Sequence, residues 1–222
     1  MNTGKYVIFD GMDGSGKGVQ IDFLKKELAN FPVIFTREPG GPPLAEEIRR
    51  IVRDNPLAAD STAVFHFLGF WMAREESMHR LVMPALQAGK SVFSDRGDSS
   101  TFAFQLYGEE HTELVPEFAG MQYLIFGGHR GRRRPDLYII FDLPAKMARE
   151  RALQDASRTQ THFDVRDIEY YKRVRDGFRS FAIGHSHVKI VDATQSPEAV
   201  HRHVQMILAA EMVVPEYAFV ID

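Results

Sequence analysis

Short runs of β-branched and aromatic residues recur along this chain, separated by longer stretches in which apolar side chains return every three or four positions. The runs are Tyr6 to Asp10, Val33 to Thr36, Ser91 to Asp95, Leu137 to Asp142 and Val188 to Asp192. They are almost continuously apolar rather than alternating, as strands of a parallel sheet covered on both faces are. Ile21, Leu24, Leu28 and Phe31 fall on one face at helical spacing between the first two runs. The pattern predicts an α/β fold, a five-stranded parallel sheet flanked by helices and joined by right-handed crossovers. Strand after strand ends in Asp or Thr and passes into a loop rich in Gly, Pro or Ser. Open sheets of this kind bind ligands at the carboxyl ends of their strands, so the functional residues are expected there. The longest polar stretch, Gln154 to His162, lies between two helical patterns and reads as part of a mobile lid, approximately 151–163, rather than as a domain boundary. With no repeat, low-complexity tract or linker, residues 1–222 are expected to form one domain.

Composition narrows the classes. A chain of 222 residues with 44% hydrophobic and 26% charged positions can bury one substantial core. A formal net charge of −3 argues against a general nucleic-acid or membrane binder, so any anion site must be local. The absence of cysteine excludes thiolate metal sites, disulfides and cysteine nucleophiles without assigning a compartment. The N-terminal apolar stretch is too short for a signal peptide, and no run reaches membrane-spanning length; a cytoplasmic location is expected.

Directly after the first strand, Gly11-Met12-Asp13-Gly14-Ser15-Gly16-Lys17 leads into a helix and matches G-x-x-x-x-G-K in its strand-loop-helix setting. Glycines let backbone N–H groups curl around phosphate oxygens, the helix N-terminus adds a favourable dipole, and Lys17 reaches the β- and γ-phosphates. This predicts a P-loop NTPase fold. Gly18 and Val19 follow where Ser or Thr would supply a hydroxyl to Mg²⁺. The GSGKG portion resembles the loop of adenylate kinases, except that Val19 stands where they have Thr. Mg²⁺ would then be held by the nucleotide phosphates and water, with Asp95, and Asp10 as a second candidate, accepting from the outer shell.

Further segments, in order, make the chain similar to the thymidylate kinase family over nearly its whole length. Thr36-Arg37-Glu38-Pro39-Gly40-Gly41, continuing through Glu46-Glu47-Ile48-Arg49, resembles the family's TREPGG loop and following helix. Phe70-Trp71-Met72-Ala73-Arg74 resembles its base-binding segment, and Asp95-Arg96 with Ser100, Thr101, Phe104 and Gln105 resembles its DR segment and S-x-x-A-[YF]-Q. Phe163-Asp164-Val165-Arg166-Asp167 leads into a segment like the post-lid helix, and Asp192-Ala193-Thr194-Gln195 is similar to the end of the last strand.

The resemblance implies a kinase that moves the γ-phosphoryl of ATP onto dTMP, giving dTDP, with Mg²⁺ and as a homodimer. The loop residues Gly11, Asp13, Gly14, Ser15, Gly16, Lys17 and Gly18 would hold ATP. Asp13 would also accept the acceptor's 3′-hydroxyl, a task suited to a carboxylate. Phe70 would stack on the base and Arg74 would donate to its exocyclic oxygen. Arg49 and Arg96 would clamp the acceptor phosphate, because a planar guanidinium matches phosphate oxygens. Ser100, Thr101 and Gln105 would read the base edge, while Phe104 would crowd the 2′ position and favour deoxyribose. With Gly14 and Ser15 in place of a loop arginine, the lid arginines Arg151 and Arg158, with Arg149 behind them, are the candidates that neutralise the transferring group; Lys17, Asp95 and Arg96 complete the catalytic set.

The chain departs from the family pattern at Gly97, where an aromatic or His is usual, at Pro42 and at Thr161-His162. Gly97 is expected to open space near the substrate, which keeps a modified or larger base in view. GSGKG keeps another (d)NMP in view as acceptor, and the hydroxyl missing at positions 18 and 19 keeps a catalytically silent nucleotide-binding protein. The Arg130, Arg132, Arg133 and Arg134 run reads as a solvated loop, and the His185/His187 and His201/His203 pairs as ordinary histidines without a third metal ligand.

Overall fold

The computed structural model describes residues 4–127, 133–154, 166–183, 185–214 and 218–219. Strand β1 (Tyr6–Gly11) feeds helix α1 (Lys17–Glu27), and β2 (Val33–Arg37) leads to α2 (Pro43–Arg49), which continues as a π-helical turn, Arg50–Asp54. Helix α3 (Ala63–Ser77) runs through a second π-helical turn, Met78–Val82, into α4 (Met83–Gln87). After β3 (Ser91–Asp95) come α5 (Asp98–Thr101), its π-helical extension Phe102–Gly108, and α6 (Val115–Phe126). Then follow β4 (Leu137–Asp142), α7 (Ala145–Gln154), α8 (Ile168–Ala182), β5 (Val188–Asp192) and α9 (Pro197–Ala210).

All five strands are parallel, in the order β2-β3-β1-β4-β5. The apolar runs mark these strands to within one residue at each end. Coverage on both faces holds for β1, β3 and β4, whose side chains are almost all buried, but β2 and β5 are half-exposed because the helices pack over the middle of the sheet. Phe93 ties β3 into the core through rings 5.3 Å from Phe9 and 5.4 Å from Phe35. On α3 the fully buried Trp71 packs edge-on against Phe118 of α6, 5.5 Å between centroids.

Local chemistry sets the helix starts. Thr62 caps α3 by accepting from the Phe65 N–H at 3.2 Å, Asp167 caps α8 from Tyr170 at 2.8 Å, and Ser196 caps α9 from Ala199 at 3.3 Å. Helix α1 has no side-chain cap: Gly16 precedes it in the left-handed region, φ 80°, leaving the first N–H groups of the helix to another acceptor. Asp142 at the end of β4 receives Arg175 at 2.7 and 3.0 Å and Arg179 at 2.8 Å, fastening α8 to the sheet. No helix among the described residues is long and apolar enough to cross a membrane.

Candidate active site

A cavity of about 500 Å³ opens at the carboxyl ends of β1, β2 and β3. Its floor is the loop from Met12 to Gly18, between β1 and α1. Gly14 and Gly16 both have positive φ, 78° and 80°, which aims successive N–H groups inward. Gly14 also lies flat against α7, where a Cβ would collide with the Ala148 carbonyl oxygen. No side chain fits there in this arrangement, so an arginine at that point of the loop is excluded sterically as well as by sequence. Around Gly18 there is open space: a Cβ built on it would meet no atom within 4 Å apart from its chain neighbours and its own helix backbone. Lys17 Nζ lies 2.7 Å from Asp95 Oδ1. Burial alone would raise the Asp95 carboxyl, but Lys17 and then Arg96 outweigh it and hold it below the ordinary carboxylate range.

Arg96 anchors the wall beside the loop. It is one of few non-glycine residues with positive φ, 72°, and its carbonyl accepts from Ser94 Oγ at 2.8 Å. Nη2 donates to Asp13 at 2.6 Å, while Nη1 reaches Gly11 O at 3.0 Å, Ser100 Oγ at 2.9 Å and Asp10 at 3.2 Å. The Phe104 ring centroid lies 5.0 Å from the guanidinium carbon. Asp10 is fully buried and also accepts from the Gly11 and Gly97 N–H groups and the Ser99 and Ser100 hydroxyls.

These bonds correct three expectations. Asp10 has its acceptor sites occupied by five donors, so it is not available to a metal-bound water. The Ser100 hydroxyl donates to Asp10 and accepts from Arg96, which makes it a brace for those two rather than a group turned to a base. Gly11 gives its N–H to Asp10 and its carbonyl to Arg96, and it does not line the cavity.

Phe70 and Arg74, one helical turn apart on α3, both line the far end of the cavity. Arg74 is buried: Nε donates to Glu38 at 2.7 Å, Nη2 donates to Thr101 Oγ1 at 3.2 Å, and the guanidinium carbon lies 4.3 Å from the Trp71 ring centroid. Its Nη1 is buried and has no hydrogen-bond partner among the described residues. Glu38, equally buried, accepts from the Tyr6 hydroxyl at 3.0 Å. Thr101 and Gln105 are buried on the same wall, and Arg49 donates to the Pro39 carbonyl at 2.9 Å from the opposite one. Gly97 does not open the cavity. A Cβ there would press on the Ile8 side chain at 2.9 Å, so its bare face is turned to the core, and the room expected for a larger base is not provided by this residue.

Arg151 is not brought to the cavity: its Nη1 donates to the Ala193 carbonyl at 3.1 Å, at the end of β5. Arg149 donates to the Arg166 carbonyl at 3.2 Å. Arg158 and residues 155–163 of the expected lid lie outside the described residues, although α7 and α8 flank them as the pattern indicated. The cavity also gathers Arg37, Glu38 and Arg53, which the sequence reading gave no role. The signals existed: Arg37 and Glu38 sit inside the quoted motif, and Arg53 falls four residues after Arg49.

A family-level sequence model described as thymidylate kinase matches residues 9–204. Thymidylate kinase of Cupriavidus taiwanensis is 32% identical over 215 residues, 93% of this chain and 98% of the relative. That of a Marinomonas strain is 34% identical over 209 residues, 93% and 94% of the two chains. The crystal structure of thymidylate kinase from Ehrlichia chaffeensis superposes with a TM-score of 0.72 at 27% identity, covering 92% of this chain and 98% of that one. Sheet order, phosphate loop and whole-length similarity agree, and the chain belongs to the thymidylate kinase family of ATP-dependent nucleoside monophosphate kinases, built on the P-loop NTPase fold.

Proposed function

We propose that this protein transfers the γ-phosphoryl group of ATP to dTMP, yielding ADP and dTDP. The observation that carries the reading is one cavity that gathers Lys17 and the uncapped start of α1 together with Arg74, whose Nη1 has no partner among the described residues. The first suits a polyphosphate. The second suits a base that presents a carbonyl oxygen, because guanidinium only donates and a cytosine amino group would oppose it.

The acceptor phosphate is already an anion, so the reaction needs no strong general base and rests on positioning and charge. Lys17 and the loop N–H groups hold the donor, Arg96 and Arg49 hold the acceptor phosphate, and Asp13 meets the sugar hydroxyl. Phe70 covers the base, with Gln105 and the Thr101 hydroxyl at its edge, and Phe104 fills the space beside the sugar. Arg158, or Arg151 released from Ala193, supplies charge to the transferring group. Residues near Lys17 fit Mg²⁺: Asp95 is kept ionised, and the open space at Gly18 admits a hydrated cation. Asp95 would hold the ion through water, the phosphates providing its other oxygens, and the ion would neutralise charge on the β- and γ-phosphates.

A cytoplasmic single-domain protein acting as a homodimer completes the proposal. Phe65, Leu68 and Met72 are exposed on α3, on the side away from Phe70 and Arg74, and Tyr123 and Leu124 are exposed on neighbouring α6; these apolar side chains support pairing with a second copy. A coupled assay of ADP formation, with ATP and each (d)NMP in turn, tests the activity. Fastest turnover with dTMP is expected. A faster purine or cytidine acceptor would reassign the substrate, and no ADP with any acceptor would leave a nucleotide-binding protein without this activity.

A further inference from the structure

Tyr6 and Glu38 form a buried chain behind Arg74. Tyr6 sits on central strand β1 and does not line the cavity, yet its hydroxyl donates to Glu38 Oε1 at 3.0 Å, and Glu38 Oε2 takes the Arg74 Nε at 2.7 Å. All three residues are at most 4% exposed. Burial, and next the adjacent carboxylate, push the Tyr6 hydroxyl well above its ordinary range, so it remains a donor. Thr101 takes Nη2 and the Trp71 ring covers the guanidinium face, which leaves Nη1, on a residue that lines the cavity, as the guanidinium nitrogen without a partner among the described residues.

We infer that Tyr6 and Glu38 are positioning residues for base selectivity: they hold Arg74 in the one orientation that offers a donor, and no acceptor, to the exocyclic group of the acceptor nucleotide. The inference rests on Arg74 meeting the base. Glu38 itself lines the cavity. Tied to Tyr6 and Arg74, it is withheld as an acceptor; released, it could welcome the amino group of cytosine. A guanidinium loosened by losing its brace could likewise swing aside for that amino group. The chain therefore works against the wrong base as much as for the right one.

The test measures kcat and KM for dTMP and dCMP, and KM for ATP, with wild type, Tyr6→Phe, Glu38→Gln, Arg74→Gln and the double variant Tyr6→Phe/Arg74→Gln. Tyr6→Phe removes one hydrogen bond to a charged group. It is expected to raise KM for dTMP about five- to ten-fold, to move kcat less than about two-fold, and to lower the dTMP-over-dCMP preference by about the same five- to ten-fold. KM for ATP stays unchanged, which general loosening of the fold would not leave so. In the Arg74→Gln background Tyr6→Phe should lower the preference no further, since its route has been removed. Glu38→Gln should act as Tyr6→Phe does, and more strongly. If that variant does not fold, the Tyr6→Phe comparisons still decide. Loss of preference in Arg74→Gln with none in Tyr6→Phe overturns the positioning chain. Full preference in Arg74→Gln overturns the assignment of Arg74 to the base, and the chain with it.

Discussion

Gly14 and Gly18 stand four residues apart in the phosphate loop and meet opposite constraints. Gly14 combines φ 78° with contact against the α7 backbone, and any side chain there must displace a helix. Gly14→Ala should cost about 1–2 kcal/mol from the left-handed backbone alone, with the clash added. A lower thermal midpoint together with a KM for ATP raised about ten-fold or more is the expected outcome; an unchanged KM would mean the loop does not touch ATP. Gly18 has room, and lies in the first turn of α1. Gly18→Ser should lose the glycine penalty of roughly 0.5–1 kcal/mol in the helix. Its hydroxyl should lower the Mg²⁺ concentration at half-maximal rate, while the rate at saturating Mg²⁺ changes less than about three-fold if coordination through water already suffices. The same residues show what could be read before the fold was known. Motif and spacing located both glycines, because backbone chemistry is encoded locally. The direction of Gly97 was not legible, since whether its missing Cβ faces the substrate or Ile8 depends on how β1 packs under that loop.

Among the elements, α3 presents two faces: Phe70 and Arg74 line the cavity, and Phe65, Leu68 and Met72 are exposed on the other side. Its apolar spacing alone does not separate core from site from interface, which is why Phe70 was assigned by resemblance. Ion pairs between distant elements are equally silent in sequence. The Asp142 staple joins the end of β4 to Arg175 and Arg179, more than thirty positions away. Burial raises this carboxyl, but the two guanidinium groups prevail and leave it below its ordinary value. A depressed carboxylate stabilises the fold above its unfolded pKa of about 3.9, and this contribution disappears as pH falls through the lower folded value. Wild type should therefore lose stability below about pH 4 more steeply than Asp142→Asn, which has no charge to lose there. Urea midpoints followed from pH 6 to pH 3 would show converging curves; parallel curves would remove Asp142 from the account.

At the scale of the molecule, sheet class and strand limits were readable, because a buried parallel strand leaves an unbroken apolar run. The strand order and the half-exposure of β2 and β5 were not, because helices from distant segments decide which strands end up central. The cavity was readable as a set of residues but not as a network: Ser100 lines it while Asp10 lies buried behind it, and their occupation by Arg96 and one another emerges only from three dimensions. Pairing through the α3 and α6 surface can be tested at this scale. Leu68→Glu should convert a dimer to a monomer in light-scattering measurements at micromolar concentration while the melting curve remains cooperative. A monomeric wild type would instead leave that surface to another use.

Strand β1 is laid at the centre of the sheet although it is made first, and the strands that enclose it, β3 and β4, begin at residues 91 and 137. Its partners are thus distant in the chain, an arrangement that slows folding because long loops must close before pairing repays them. On a ribosome adding about 5–20 residues per second, the first strand and the phosphate loop it carries wait on the order of ten seconds for their second neighbour. During that interval the edge of β1 that β4 will cover has no strand to pair with. A nascent chain halted before residue 142 should be captured by chaperones and bind no ATP, and the phosphate site, written in the first twenty residues, should appear only once β4 has emerged.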